Sequence, residues 1–319
     1  MTYVFGPVSS RRLGQSLGVD LLPSKSCTWN CLYCQLGKTK KFVAKRQEFF
    51  PREEILEEIR QALALNTNLD WITFVGSGET MLYKGIGWLV VEVKKLTTIP
   101  VAVITNGSLL YLPEVRKELF QADAVLPSLN AGSEALHDQI CRPVSGLTFQ
   151  QHVEGLVAFR REYKGRLWVE VMLLGGINDT DAALNDLANV LEEIHPDMVH
   201  LVLPTRPAPE QEIRLPSQER LEQAIAMLSR VAVVINPLKG NMDLRHAPDM
   251  LEAITAIVSR HPVQRRELHK AIADCFSGES DKADEVMRGF FATGRFTLVE
   301  HNGEPYWVMQ QGEKSGFNS

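Results

Sequence analysis

Seven short apolar runs punctuate the chain: Leu17–Leu22, Trp71–Val75, Val101–Thr105, Ala124–Leu129, Leu167–Leu174, Met198–Leu203 and Val231–Ile235. They are rich in Val, Ile and Leu, as expected of strands covered on both faces in a parallel sheet. Between most of them, apolar residues recur every three to four positions: Arg52–Ala64, Ile86–Leu96, Leu112–Gln121, Phe149–Tyr163, Ala182–Ile194 and Gln218–Arg230. That is the period of an amphipathic helix. Pro51, Pro113, Asp179 and Ser217 stand where such helices begin. Strands alternating with helices over about 240 residues predict an α/β fold, a barrel or partial barrel. In that architecture the chemistry sits on loops after the strands' C-terminal ends.

The pattern changes after Pro237-Leu238-Lys239-Gly240. Helix-period segments at Asp249–Arg260, Arg265–Cys275 and Ser280–Thr293 precede two apolar runs, Arg295–Glu300 and Pro305–Met309, joined through Asn302-Gly303. Asn-Gly between such runs is a hairpin signal. Three helices and a hairpin resemble a winged-helix domain, a relative of the helix-turn-helix. The expected organisation is a barrel over residues 1–240 and a small winged-helix-like domain over 241–319, with a frayed polar tail from Gln310.

Composition narrows the class. The 319 residues carry 34 Lys and Arg against 39 Asp and Glu, a net charge of −5, and 45% are hydrophobic. A disordered chain, a collagen-like repeat and a disulfide scaffold are excluded. No apolar run nears the roughly 20 residues of a membrane span. Residues 1–14 hold Arg11 and Arg12 where a secretory leader has its apolar stretch, so a cytoplasmic protein is expected. Three of the five cysteines, Cys27, Cys31 and Cys34, fall within eight residues directly after the first expected strand. In a reducing compartment such a group reads as a metal site. A structural zinc site would need a fourth ligand from elsewhere. A [4Fe–4S] cluster is normally held by four thiolates, so three would leave one iron open to a ligand.

Cys27-x-x-x-Cys31-x-x-Cys34, with Tyr33 before the last cysteine, resembles the signature of the radical S-adenosylmethionine (SAM) enzymes. The resemblance implies a partial (β/α)6 TIM-like barrel and a [4Fe–4S] cluster on Cys27, Cys31 and Cys34. Its open iron would take SAM by the methionyl amine and carboxylate. An electron from a flavodoxin- or ferredoxin-like donor would then release a 5′-deoxyadenosyl radical. Gly76-Ser77-Gly78-Glu79 resembles the family's Gly-Gly-Glu-Pro segment, with Ser77 and Thr80 departing from it. This implies that Glu79 receives the methionyl ammonium. By the same resemblance Thr105 and Asn106 lie near the cofactor carboxylate, Ser128 and Asn130 near ribose or carboxylate, and Glu170 near adenine.

Arg142 and Arg206 are loop arginines on the same expected face and are candidates for holding an anionic substrate. Cys141 and Cys275 read as small buried apolar residues, and His137, His195 and His200 show no ligand spacing. The segments Phe5–Val8, Ser10–Gly14 and Ser16–Asp20, with Cys34-Gln35-Leu36-Gly37, resemble the branch that contains tRNA-wybutosine synthase. That synthase carries a second cysteine triad, which this chain lacks. Residues 1–52 hold nine Lys and Arg against two acids, a surplus of +7, concentrated in Lys38–Arg46. A basic rim of this kind attracts an anionic small molecule, an acidic electron donor or tRNA. Residues 246–312 hold seven Lys and Arg against ten acids, or −3. That is a poor footprint for a phosphate backbone. The C-terminal domain therefore reads as a substrate-docking, dimerisation or protein-contact module. An iron–sulfur sensor using it to read DNA is the non-catalytic alternative.

Overall fold

The computed structural model describes residues 3–310 except 11, 40–41, 67, 209–212, 229–231, 236–241, 243 and 246–248. The expected 240/241 boundary, Arg11 and the tail beyond Gln310 lie outside the described residues. In chain order the elements of the larger unit are β1 (Val4–Ser10), β2 (Gly14–Asp20), α1 (Arg52–Leu65), β3 (Trp71–Val75), α2 (Ile86–Leu96), β4 (Val101–Thr105), α3 (Pro113–Glu118), β5 (Ala124–Pro127), α4 (Glu134–Cys141), α5 (Phe149–Glu162), β6 (Arg166–Met172), α6 (Asp181–Ile194), β7 (Met198–Val202), α7 (Gln218–Leu228) and β8 (Ala232–Val234).

The eight strands form one sheet in sequential order. β1 pairs antiparallel with β2, and every later neighbour is parallel. β1 and β8 are the two margins, so the barrel is open on one side. Two elements escaped the sequence pattern. Gly6-Pro7 interrupts β1, and proline is tolerated there because β1 is an edge strand; its register slips between Phe5 and Val8. α4 has only eight residues, barely two turns of periodicity. Helix α6 is capped by Thr180, whose hydroxyl accepts from Ala183 N. The expected cap, Asp179, instead accepts from Gly176 N at 2.8 Å.

Alternation along each strand sorts two environments. Ile72, Phe74, Val101, Val103, Val125, Val169 and Leu201 share a core with Ile55, Val90, Leu156 and Leu187 from the surrounding helices. Trp71 and Trp168, on strands three apart, meet edge to face at 5.6 Å. With Leu13, Ala102, Ala124 and Leu126 they plug the barrel interior. The same inner face also carries polar residues: Ser16 and Thr73, bonded at 2.5 Å, then Glu170 and His200, paired across β6 and β7.

The C-terminal unit comprises α8 (Met250–Val258), β9 (Val263–Gln264), α9 (Arg265–Cys275), α10 (Ser280–Ala292), β10 (Phe296–His301) and β11 (Glu304–Met309). Its strands form a sheet ordered β10-β11-β9. It has its own core of Leu244, Ile254, Ile257, Leu268, Ile272, Phe290 and Trp307. Asn302 and Gly303 both take positive φ at the hairpin turn, as the expected Asn-Gly turn requires. The unit touches both sides of the barrel's opening. Arg260 reaches Asp20 at the end of β2 (2.9 Å). Tyr306 Oη donates to the Thr205 carbonyl (2.8 Å) beyond β7.

Candidate cluster and cofactor site

The loop after β2 carries all three clustered cysteines, and the neighbouring strand ends fix its shape. Ser26 bridges Gly78 in parallel fashion. Lys25 N donates to the Ser77 carbonyl (2.6 Å) and Glu79 N to the Ser26 carbonyl (2.9 Å). A Cβ on Gly78 would lie 1.7 Å from the Ser26 carbonyl oxygen. Only glycine allows the two loops to lie backbone to backbone. Below them Asp20 accepts from Ser77 N (2.9 Å) and Ser77 Oγ (2.5 Å).

Glu79 is fully buried. Its carboxylate accepts from Thr105 Oγ1, Asn106 N (2.6 Å) and Met81 N (2.9 Å). Burial pushes its pKa above the usual carboxylate range, opposed by these hydrogen bonds. Asn106 joins this node to the cysteine loop, since its Nδ2 donates to Thr28 Oγ1 (2.9 Å) and approaches Cys27 Sγ (3.8 Å).

The sulfurs are approached by nitrogen donors. Trp29 N lies 3.4 Å from Cys27 Sγ and Lys25 Nζ 3.0 Å from Cys34 Sγ. All three thiols are free. Burial drives Cys27 well above its ordinary pKa. Cys31 rises too, first through its contact with Cys141 and then through burial. Cys27 and Cys31 would bind a metal as thiolates, the metal displacing their protons. Among the described residues, no three His, Cys, Asp or Glu side chains converge on a single ion position. A cuboidal iron–sulfur cluster spreads its thiolates over separate irons, so the donor set fits a cluster.

The other expected residues divide. Asn130 reaches the cysteine loop: Nδ2 donates to Tyr33 Oη (2.7 Å) and Oδ1 accepts from Met172 N (2.9 Å). Ser128 bridges Glu170 between strand ends, and its carbonyl faces His152 Nε2 at 3.0 Å. Glu170 is buried inside the barrel and pairs with Arg12. Burial raises its pKa while the guanidinium opposes the rise. Arg206 donates to Gln35 Oε1 (3.0 Å), one residue past Cys34. Arg142, in a left-handed conformation, ends α4; its carbonyl accepts from Asn30 N in the cysteine loop (3.2 Å).

Several neighbours of the cysteine loop were not visible in the spacing. Trp29 is buried edge-on against His137 (5.1 Å) and His152 (5.2 Å), which stack on each other at 5.4 Å. Burial holds both imidazoles neutral, His152 down to about 3. Cys141 is buried as expected, yet its thiol contacts Cys31 and lies 3.8 Å from Asn130 Nδ2. The expected basic rim is partly structural. Arg46 holds Glu118 with two nitrogens (2.9 and 2.8 Å) and donates to the Met81 carbonyl (2.6 Å).

Residues 21–191 match the model of the radical SAM superfamily. The chain belongs to that superfamily. Radical SAM enzymes bind a [4Fe–4S] cluster and SAM, and carry out radical chemistry. A UPF0026 protein of Methanocaldococcus jannaschii is 31% identical over 315 residues, 97% of this chain and 96% of its own length. A protein of Brachyspira hyodysenteriae named GTPase Obg is 37% identical over 307 residues. The match covers 94% of this chain, which spans 44% of that relative. Gly37-Lys38-Thr39 here has Leu32, not glycine, five residues before Gly37, and so lacks phosphate-loop spacing. Two solved structures share the fold. A radical SAM methyltransferase from Sphaerobacter thermophilus has a TM-score of 0.54 at 20% identity, covering 69% of this chain and 66% of its own. TYW1 with a lysine-pyruvate adduct has 0.50 at 16%, covering 67% and 72%. No helix among the described residues is long and apolar enough to cross a membrane.

Proposed function

We infer that this radical SAM protein is an enzyme that removes a hydrogen atom from an anionic small molecule. Cys27, Cys31 and Cys34 hold the cluster. The Gly76–Glu79 loop, with Tyr33, Thr105, Asn106, Ser128, Asn130 and Glu170, holds SAM. The interlock of Ser26 with Gly78 carries the reading, because it fixes the cysteine loop and the Glu79 loop as one body. When bound, the cluster supplies the electron that cleaves SAM to a radical.

The chain's own residues bind and orient. Lys25 Nζ and Trp29 N stabilise negative charge on the ligand sulfurs. The Glu79 carboxylate has about four acceptor positions, of which three are used. The remaining one receives the methionyl ammonium, an ion pair strengthened by burial. Trp29, Leu32, Cys141, Leu174 and Ile213 exclude water beside the cysteines. Arg206, with Arg142, orients the substrate, and the exposed Lys38 faces a flavodoxin- or ferredoxin-like donor. Five cysteines, none in a disulfide among the described residues, are in keeping with a cytoplasmic setting. We place the domains at 1–240 and 241–319, the second of winged-helix type.

Anaerobic reconstitution should give a brown protein with an EPR-active reduced cluster that cleaves SAM. Zinc in the purified site, or SAM cleavage retained by Cys31→Ala, would overturn the assignment. Modification of a tRNA base is the second reading, favoured by the +7 surplus of residues 1–52. Salt-sensitive tRNA retention supports it, and no retention at low salt removes it.

A further inference from the structure

The C-terminal unit reaches the cofactor loops through one short segment, Arg260-His261, at the end of α8. Arg260 Nε donates to Asp20 Oδ2 at 2.9 Å, with the two side chains 14% and 4% exposed. Asp20 in turn receives Ser77 N (2.9 Å) and Ser77 Oγ (2.5 Å), two residues before Glu79. On the other side Gln35 Nε2 lies 3.1 Å from both the Arg260 carbonyl and His261 Nδ1. Gln35 directly follows Cys34. The segment therefore grips the loop assigned to SAM and the loop assigned to the cluster. Phe5 of the edge strand β1 braces it, with Arg260 4.9 Å above the ring and His261 at 5.5 Å.

We propose that Arg260 is a positioning residue for SAM, acting through Asp20 and Ser77 on the Glu79 loop, so that docking of the C-terminal unit and cofactor binding are coupled. The physical reason is geometric. Asp20 is a nearly buried carboxylate that organises the backbone of residues 76–79, and a buried carboxylate needs its charge partner. Without Arg260 the buried carboxylate loses its charge partner and turns toward water, and the Ser77 bonds that set the loop are lost. Glu79 is then misplaced although no residue touching SAM has changed. The coupling is reciprocal: whatever SAM gains from a docked unit, docking gains from SAM. This inference rests on the assignment of the 76–79 loop to SAM, and it gives the C-terminal unit a role that needs neither nucleic acid nor a second protein.

The test uses the cluster-loaded full chain and measures SAM binding by equilibrium dialysis. Arg260→Gln should weaken SAM binding about tenfold, the effect of losing one charge-assisted hydrogen bond. Arg260→Lys should recover part of it, since the charge stays and the planar fork is lost. Ser77→Ala and Arg260→Gln combined should weaken binding less than the product of the single effects, as expected of one relay. SAM should also slow amide exchange in residues 250–261. Far-ultraviolet circular dichroism and the cluster absorption separate a misplaced loop from a misfolded chain. Unchanged SAM affinity in a folded Arg260→Gln protein, multiplicative effects with Ser77→Ala, or exchange in 250–261 indifferent to SAM would each overturn the coupling. SAM binding by the unmodified protein tests the underlying assignment separately: if it binds no SAM, that assignment fails first.

Discussion

Both ends of the barrel use carboxylates to receive backbone N–H groups, yet the two sets differ in surroundings. At the strand starts, Asp70, Asp123 and Asp197 each directly precede a strand and clip the strand beside it. They accept from Gln15 N (2.7 Å), Val101 N (2.8 Å) and Leu167 N (2.8 Å). Asp123 and Asp197 are 34% and 43% exposed and pair with Lys94 and Arg160. At the strand ends, Asp20 and Glu79 do similar work while buried, accepting from Leu22 N and Ser77 N and from Met81 N and Asn106 N. Water screens the first set, so each clip contributes modestly to stability. Burial strengthens every interaction of the second set and keeps its geometry fixed. An open cleft does exist at the strand-start end, lined by Lys94, Phe120, Asp123, Arg160, Lys164 and Arg166. Its carboxylates are spent on clips and ion pairs, so we place the chemistry at the opposite end. The contrast teaches that burial, not residue type, separates scaffold from site.

The contrast can be broken most sharply at the cysteines. Cys31→Ala should lose the cluster and all SAM cleavage, read by iron content and by release of 5′-deoxyadenosine. Asp197→Asn should leave cleavage within about twofold, because an exposed ion pair contributes only about 0–1 kcal/mol. Comparable losses in both would erase the distinction between the ends.

Next in size is Glu79. Glu79→Ala leaves three buried donors without an acceptor, and about 3 kcal/mol of stability should go with them, measured by urea unfolding. SAM affinity should fall by about a hundredfold if the methionyl ammonium loses a buried ion pair. The pH dependence has a definite sign. The folded-state pKa of Glu79 is raised, so the native state holds more protons than the unfolded chain above the ordinary carboxylate value. The contribution of this group is full below that value and lost as pH rises through the raised one. Glu79→Gln should remove that part of the slope from a pH series of unfolding curves; an unchanged slope would contradict the assignment.

The histidines behave in the opposite sense. His152 is lowered to about 3 and His200 to about 4. Their contribution is complete above the ordinary value of 6.5 and is lost as pH falls toward the lowered values. His152→Asn should flatten the acid limb of stability, and acidification should disturb Trp29 fluorescence before the sheet unfolds. The smallest effect is expected at the clips. Asp123→Ala should cost about 1 kcal/mol in urea unfolding with SAM binding intact. A larger loss would mean the exposed end is as tightly determined as the buried one.

Local pattern located the strands of the parallel sheet. β3 and β4 fall on their expected residues, as do α2 and α9, because an uninterrupted apolar strand or a full helical period is written in neighbouring positions. The cysteine spacing and the glycines before Glu79 were legible for the same reason. Edge strand β1 was not, since Gly6-Pro7 masks it, and neither was the short α4.

What the sequence by itself determined is the order of strands and helices, the superfamily, and the residue types available at each strand end. The tertiary structure alone decided which of them meet. It set Cys141 against Cys31, the His137–His152 stack under Trp29, Arg12 on Glu170 within the barrel, and Arg260 on Asp20 from 240 positions away. Those contacts join elements distant in sequence, and no spacing encodes them. They exist because closing a twisted sheet brings its strand ends together, and because a buried charge is stable only beside a partner, wherever in the chain that partner lies.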